Sequence, residues 1–205
     1  MLQGLYAITD ATLTPEHQLL TKVSAALRGG ARVIQYRDKS TDRHTRLRQA
    51  CLLAELCQAF GRPLIINDDP ELALACGATG VHLGQSDTDL AFARALLGKE
   101  AIIGITCHDS LEFALQAQQQ GADYVAFGAF FPSTSKPQAR LAPLSLLSQA
   151  RRQLCVPIVA IGGICVDNAP QLITQGADMV AVIQDLFAAI DVESRAQQLA
   201  ALFDN

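Results

Sequence analysis

The chain reads as a single (β/α)8 TIM barrel, an α/β fold, on three observations. Eight short apolar runs of strand character are spread along its 205 residues, and amphipathic helical patterns lie between them. A Gly-Ala pair precedes every second run, at Gly30-Ala31, Gly77-Ala78, Gly121-Ala122 and Gly176-Ala177. The pairs recur about every 45 to 55 residues, the length of two strand-plus-helix units, so a quarter-barrel is expected four times over.

The expected strands are 5–8, 32–35, 64–66, 80–83, 102–105, 124–127, 158–161 and 179–183. They lack the alternation of half-exposed strands, as suits parallel strands buried on both faces. In the first helix Leu19, Leu20, Val23, Ala26 and Leu27 form one apolar stripe that Gly29-Gly30 closes. Ser40-Thr41-Asp42, Asp87, Asp109-Ser110 and Asp167 are expected N-caps, and the glycine of each Gly-Ala pair suits a left-handed C-terminal position. No linker divides the chain, so residues 1–205 are expected to form one domain. The most irregular stretch, 128–143, is Pro- and Ser-rich and long for a connection, which marks it as a candidate functional loop.

Half of the residues are hydrophobic, enough for a sizeable core. A net charge of −4 argues against a nucleic-acid surface, although a few local cations can still hold a small phosphorylated ligand. Cys51, Cys57, Cys76, Cys107, Cys155 and Cys165 show neither CxxC nor zinc spacing, so most are expected to be small buried apolar residues. No signal-peptide pattern opens the chain, and no run approaches the roughly 18 apolar residues of a membrane span. The expectation is a soluble cytoplasmic protein acting on small molecules, with no nucleic-acid or membrane partner. Monomer and homo-oligomer both stay open.

Chemistry in a barrel gathers where the strands end. Gln35, Arg37 and Lys39 alternate in an extended segment, so they can share a side and suit an anion; an exposed polar loop is the plainer reading. Asn67-Asp68-Asp69-Pro70 follows the third strand and Gly84-Gln85-Ser86-Asp87 the fourth. An Asp pair can simply cap a helix, but carboxylates from neighbouring strand ends can also hold Mg²⁺ together with phosphate oxygens. His82 reads as a structural histidine or an acid–base group, and His108 as a titratable group or a helix start. Thr106 can cap or bind ligand, while His17 and His44 fall in helical segments and read as solvated. Phe130-Phe131-Pro132-Ser133-Thr134-Ser135-Lys136 offers hydroxyls and a cation to phosphate beneath an apolar body, or is an ordinary loop. Gly162-Gly163 after the seventh strand and Ile183-Gln184 after the eighth occupy places where barrels often bind phosphate.

Together, Gln35-Tyr36-Arg37-Asp38-Lys39, Asn67-Asp68-Asp69, Val81-His82-Leu83-Gly84-Gln85-Ser86-Asp87, the Pro132 to Lys136 loop and Ile161-Gly162-Gly163-Ile164 resemble, in order, the motifs of the thiamine-phosphate synthase (thiamine-phosphate pyrophosphorylase) family. The likeness runs from Leu5 to about Phe187. It implies the joining of 4-amino-2-methyl-5-(diphosphooxymethyl)pyrimidine to a hydroxyethylthiazole phosphate, with release of diphosphate. It also implies Mg²⁺ at Asp68 and Asp87, and pyrimidine diphosphate contacts from Gln35, Arg37, Lys39, Asn67 and Lys136. Thr106 matches the hydroxyl that faces the pyrimidine. Ser133, Thr134, Ser135, Gly163, Ile183 and Gln184 match the thiazole phosphate site. Arg37, Lys39, Thr106 and Lys136 are the implied catalytic set.

Such a reaction needs charge stabilisation and proximity, and no protein nucleophile. Asp38 stands where the family often has Glu, Ser133 and Ser135 where Thr is common, and Gln184 where Ser is common. Two rivals are a related thiazole tautomerase and a non-catalytic binder of thiamine precursors. The tautomerase has no need of a diphosphate site.

Overall fold

The computed structural model describes residues 2–85, 88–133 and 140–204. The elements run β1 (Gly4–Ile8), α1 (Glu16–Arg28), β2 (Val33–Tyr36), α2 (Arg43–Ala59), β3 (Leu64–Asn67), α3 (Pro70–Cys76), β4 (Gly80–Leu83) and α4 (Leu90–Leu97). They continue with β5 (Ile102–His108), α5 (Leu111–Gln119), β6 (Tyr124–Phe127), α6 (Ser145–Arg151), β7 (Ile158–Ile161), α7 (Ala169–Thr174), β8 (Met179–Val182), α8 (Gln184–Phe187) and α9 (Val192–Ala200). The eight strands are parallel to their neighbours and close in sequence order, β8 pairing with β1. The expected (β/α)8 barrel is the observed fold.

The Gly-Ala pairs have a common local cause. All four glycines adopt positive φ. In each pair the Ala N–H reaches the carbonyl five residues back: Ala31 to Ala26, Ala78 to Ala73, Ala122 to Ala117 and Ala177 to Leu172. These are Schellman closures, in which glycine takes the left-handed position at no steric cost and orphan helix carbonyls are satisfied. The next strand then starts three residues after each glycine, at Val33, Gly80, Tyr124 and Met179. Gly77 has φ 68°, and a Cβ there would touch nothing within 4 Å, so only backbone strain opposes a side chain. Gly77→Ala is expected to lower unfolding free energy by about 1 kcal/mol, read as a shifted urea midpoint at unchanged slope.

Strand parity divides the core. Leu5, Ala7, Ile34, Tyr36, Leu64 and Ile66 pack outward against the helices, while Tyr6, Ile8, Val33, Ile65, Tyr124, Val159 and Met179 fill the barrel. Parity then places Gln35, Asn67, His82 and Thr106 inward near the carboxyl ends of β2 to β5. Between Thr106 and His108 the β5–β6 register slips, leaving Cys107 without an opposite residue. Such bulges re-aim side chains at a barrel rim.

Several expectations need correction. Leu20 is exposed, because the stripe of α1 that faces the barrel is Leu19, Val23, Ala26 and Leu27. Asp167 is not a cap: Asn168 holds the N-cap position of α7 without a side-chain cap bond, its amide engaging Cys165 and Gly163 instead. Asp89 caps α4, and the proposed cap Asp87 lies outside the described residues. Asp42 and Ser110 do cap α2 and α5. Of the six cysteines only Cys57, Cys76 and Cys107 are buried, and Cys155 is exposed. Burial pushes the Cys57 and Cys107 thiols up to about 12, so neither forms thiolate near neutrality. Arg32 and Ile183 flank β2 and β8 rather than belonging to them. No helix among the described residues is long and apolar enough to cross a membrane.

Candidate active site at the carboxyl end of the barrel

Inside the mouth, the inward polar residues form a continuous hydrogen-bonded floor. The Gln35 side-chain amide donates to the Tyr6 hydroxyl at 2.8 Å, and the Tyr6 and Tyr124 hydroxyls are 2.8 Å apart. The Tyr124 hydroxyl lies 2.9 Å from His82 Nδ1, and His82 Nε2 lies 2.8 Å from Thr106 Oγ1. Gln35 and His82 are buried, whereas Thr106 is half-buried at the top of β5, where a ligand can reach it. The histidine is therefore integrated into the site floor and joined directly to Thr106. His108 is exposed at the end of β5 with φ 50°, and Ser110, not His108, starts the next helix. His17 and His44 are exposed on α1 and α2.

The rim over β1 to β3 carries the charges. The Arg37 N–H donates to Thr9 Oγ1, and its guanidinium is 3.8 Å from Asp10. Lys39 reaches across to an ion pair with Asp68. The Asp pair divides its work: Asp69 caps α3 by accepting from the Leu72 N–H and also takes the Arg46 guanidinium at 2.9 Å. Asp68, at φ 64°, turns the chain at the end of β3 and accepts an ammonium on its carboxylate. Asn67, Asp68, Lys39, Ser40 and Arg46 line one cleft of about 370 Å³ beside this strand end. Arg46 Nε is buried there without a hydrogen-bond partner. On β2, burial and the nearby Asp38 carboxylate push the Tyr36 phenol well above its ordinary range, so it stays a neutral donor to Gln49.

The opposite rim is a close-packed pair of loops. Gly162 and Gly163 have φ 103° and 63°, and the segment after β6 lies directly against them. A Cβ on Gly163 would come within 2.4 Å of the Pro132 carbonyl, and one on Gly162 within 2.4 Å of Ala129 Cβ. Phe130 and Phe131 donate their N–H groups to the Ile161 and Gly162 carbonyls. Only glycines allow this approach, and it brings Ser133, half-buried, to the same rim. Asp185 of α8 links the neighbouring loop by accepting from the Val166 N–H and from Arg195. Ile183 is half-buried just before α8, and Gln184 is its exposed first residue.

The family model described as thiamine monophosphate synthase matches residues 5–186. The chain belongs to this family. The thiamine-phosphate synthase of Thioalkalivibrio sulfidiphilus is 55% identical over 203 residues, covering 99% of this chain and 96% of the relative. That of Acidithiobacillus ferrooxidans is 50% identical over 208 residues, covering 100% and 96%. Among solved structures, the thiamine phosphate pyrophosphorylase of Pyrococcus furiosus superposes with a TM-score of 0.90 at 35% identity, over 98% of this chain and 96% of that one. Membership places the chain among the transferases of thiamine biosynthesis, acting on small molecules.

Within this thiamine monophosphate synthase family member, the structure brings Gln35, Arg37, Lys39, Asn67, Asp68 and Thr106 to one side of the mouth, and Ser133, Gly163, Ile183 and Gln184 to the loops after β6, β7 and β8. Asp87, Thr134, Ser135 and Lys136 lie outside the described residues. Three further groups were missed from sequence: Tyr6, Tyr124 and Arg46. The first two were legible in principle, since a tyrosine at an inward position of a barrel strand must find a partner for its hydroxyl.

Among the described residues no set of three or more His, Cys, Asp and Glu side chains is placed to hold a metal ion. Asp68 supplies one hard oxygen donor at a strand end, paired with the Lys39 ammonium and in the same cleft as Arg46. That donor chemistry fits Mg²⁺, which keeps several waters and binds through one or two carboxylates plus substrate phosphate.

Proposed function

We propose that the chain condenses 4-amino-2-methyl-5-(diphosphooxymethyl)pyrimidine with 4-methyl-5-(2-phosphooxyethyl)thiazole, or with its carboxylated form and loss of carbon dioxide, to give thiamine phosphate and diphosphate. The observation that carries this reading is that one end of the barrel holds Arg37, Lys39 and Asp68 on the rim over β1 to β3 and the half-buried Thr106 hydroxyl at the top of β5. A diphosphate ester of a flat polar ring needs that combination. The carbon–oxygen bond between the pyrimidine methylene and the diphosphate breaks, the oxygen keeps the electron pair, and the thiazole nitrogen donates its pair to the methylene carbon. Arg37, Lys39 and Lys136 offset charge growing on the leaving diphosphate. Mg²⁺ held by Asp68 and Asp87 would add Lewis-acid stabilisation of the same oxygens. Gln35, Asn67 and Thr106 orient the pyrimidine, while Ser133, Thr134, Ser135, Gly163, Ile183 and Gln184 hold the thiazole phosphate. The barrel contributes proximity and exclusion of water. A thiazole tautomerase would have no use for the cationic rim.

The test is incubation of the purified protein with both precursors and Mg²⁺, with product followed by chromatography. Stoichiometric thiamine phosphate and diphosphate are expected; absence of both at saturating precursors would sink the assignment.

A further inference from the structure

The floor beneath the mouth contains five polar groups in series, of which the proposed reaction uses only the two ends, Gln35 and Thr106. We propose that Tyr6, Tyr124 and His82 are positioning residues that fix the direction of hydrogen donation from Gln35 to Thr106, so that the Thr106 hydroxyl accepts from His82 Nε2–H and turns its own hydrogen toward the pyrimidine ring.

The direction follows from what each group can donate. The Gln35 NH₂ only donates, so the Tyr6 oxygen accepts. A phenol has one hydrogen, and that of Tyr6 then goes to Tyr124. The Tyr124 hydrogen goes to His82 Nδ1, which must be unprotonated to accept it. A neutral imidazole so held carries its proton on Nε2 and donates it to Thr106 Oγ1. Burial holds both phenols well above their ordinary range, so each remains an O–H group and can pass the direction on.

The backbone is committed to this arrangement. The Tyr124 ring occupies the space in which residue 104 would place a side chain: a Cβ on Gly104 would lie 1.9 Å from Tyr124 Cζ. The ring also stacks on His82 at a centroid distance of 5.5 Å and meets Tyr6 edge-on at 5.9 Å. Each partner is therefore held in the orientation that its hydrogen bond requires.

The consequence is specificity of orientation. A 4-aminopyrimidine presents ring nitrogens that accept and an amino group that donates. A Thr106 hydroxyl with its hydrogen free pairs with a ring nitrogen. One that spends its hydrogen on His82 can only accept, which favours the amino edge. The chain thus selects the ring edge that faces β5, and with it the direction in which the reacting methylene points.

The identity of this ligand rests on the proposed reaction; the direction of the chain does not. Nitrogen NMR of the intact, histidine-labelled protein at neutral pH reads the tautomer directly, with the His82 signals identified by their loss in His82→Gln. The Nε2–H tautomer is expected, and an Nδ1–H tautomer or an imidazolium would overturn the proposal. Tyr124→Phe is expected to raise KM for the pyrimidine diphosphate about tenfold and leave that for the thiazole phosphate within about twofold. Tyr6→Phe, which leaves the His82 stack in place, is expected to shift the same KM alone. His82→Gln, whose amide can donate to Thr106 from the place of Nε2, is expected to lie closer to wild type than His82→Asn. Equal changes in both KM values, or none, would overturn the proposal. If the wild type forms no product, the proposed reaction has failed, and the NMR result still decides the direction of the chain.

Discussion

Asp68→Asn combined with Asp87→Ala is expected to reduce Mg²⁺-dependent formation of thiamine phosphate at least about a hundredfold while the barrel remains folded. Asparagine is the informative replacement at position 68 because φ there is 64°, a conformation that Asn adopts far more readily than Ala. The variant therefore removes charge without adding backbone strain. Folding is expected to survive, since the adjacent cap of α3 belongs to Asp69 and not to Asp68. Removing the carboxylate also leaves the Lys39 ammonium without its counter-charge. Lys39 is then expected to hold the diphosphate more tightly in the ground state, so KM should change little or fall while kcat collapses. The measurement is steady-state kinetics over a Mg²⁺ titration, with circular dichroism and thermal unfolding as controls. Wild-type turnover and an unchanged Mg²⁺ requirement would show that these carboxylates are not the metal ligands.

The division between Asp68 and Asp69 also shows what the sequence could and could not convey. Strand count, order and closure were legible because they rest on apolar runs and on the Gly-Ala closures, both local signals. The even-numbered strands start at a fixed distance from their glycines because a Schellman closure leaves the chain little choice. Which Asp of an adjacent pair caps a helix is decided by a single turn of backbone, and both assignments have the same local spelling. Leu20 was misplaced for a related reason: a stripe read at helical spacing is wider than the face that the barrel covers. The hydrogen-bonded floor was least legible. Tyr6 and Tyr124 are separated by 118 residues and meet only because the strands close into a ring, so no local pattern joins them. Gly104 marked the place, but a glycine inside a strand does not say which side chain fills the space it leaves.

Lys136→Ala is expected to lower kcat about a hundredfold while KM for the thiazole phosphate stays within about threefold. The segment that carries this lysine is anchored at both of its described ends. Phe130 is buried, Phe130 and Phe131 are hydrogen-bonded to the Ile161 and Gly162 carbonyls, and the Ala142 N–H returns to the Ala129 carbonyl at 2.8 Å. The described ends of the segment thus meet between β6 and the Gly162-Gly163 turn. Its hydroxyls at 133–135 precede the lysine, which suits a division of labour: neutral donors for a phosphate that stays in place, a full charge for a diphosphate that departs. A charge on the leaving group matters most as the carbon–oxygen bond breaks, because only then does the negative charge on the diphosphate grow. Loss of the cation should therefore appear in kcat, and a lysine-to-arginine change should restore part of it. Comparing single-turnover rates with thiazole phosphate binding in Lys136→Ala and Lys136→Arg separates the two roles. Weakened thiazole phosphate binding with a nearly intact rate would move Lys136 to the other half of the site.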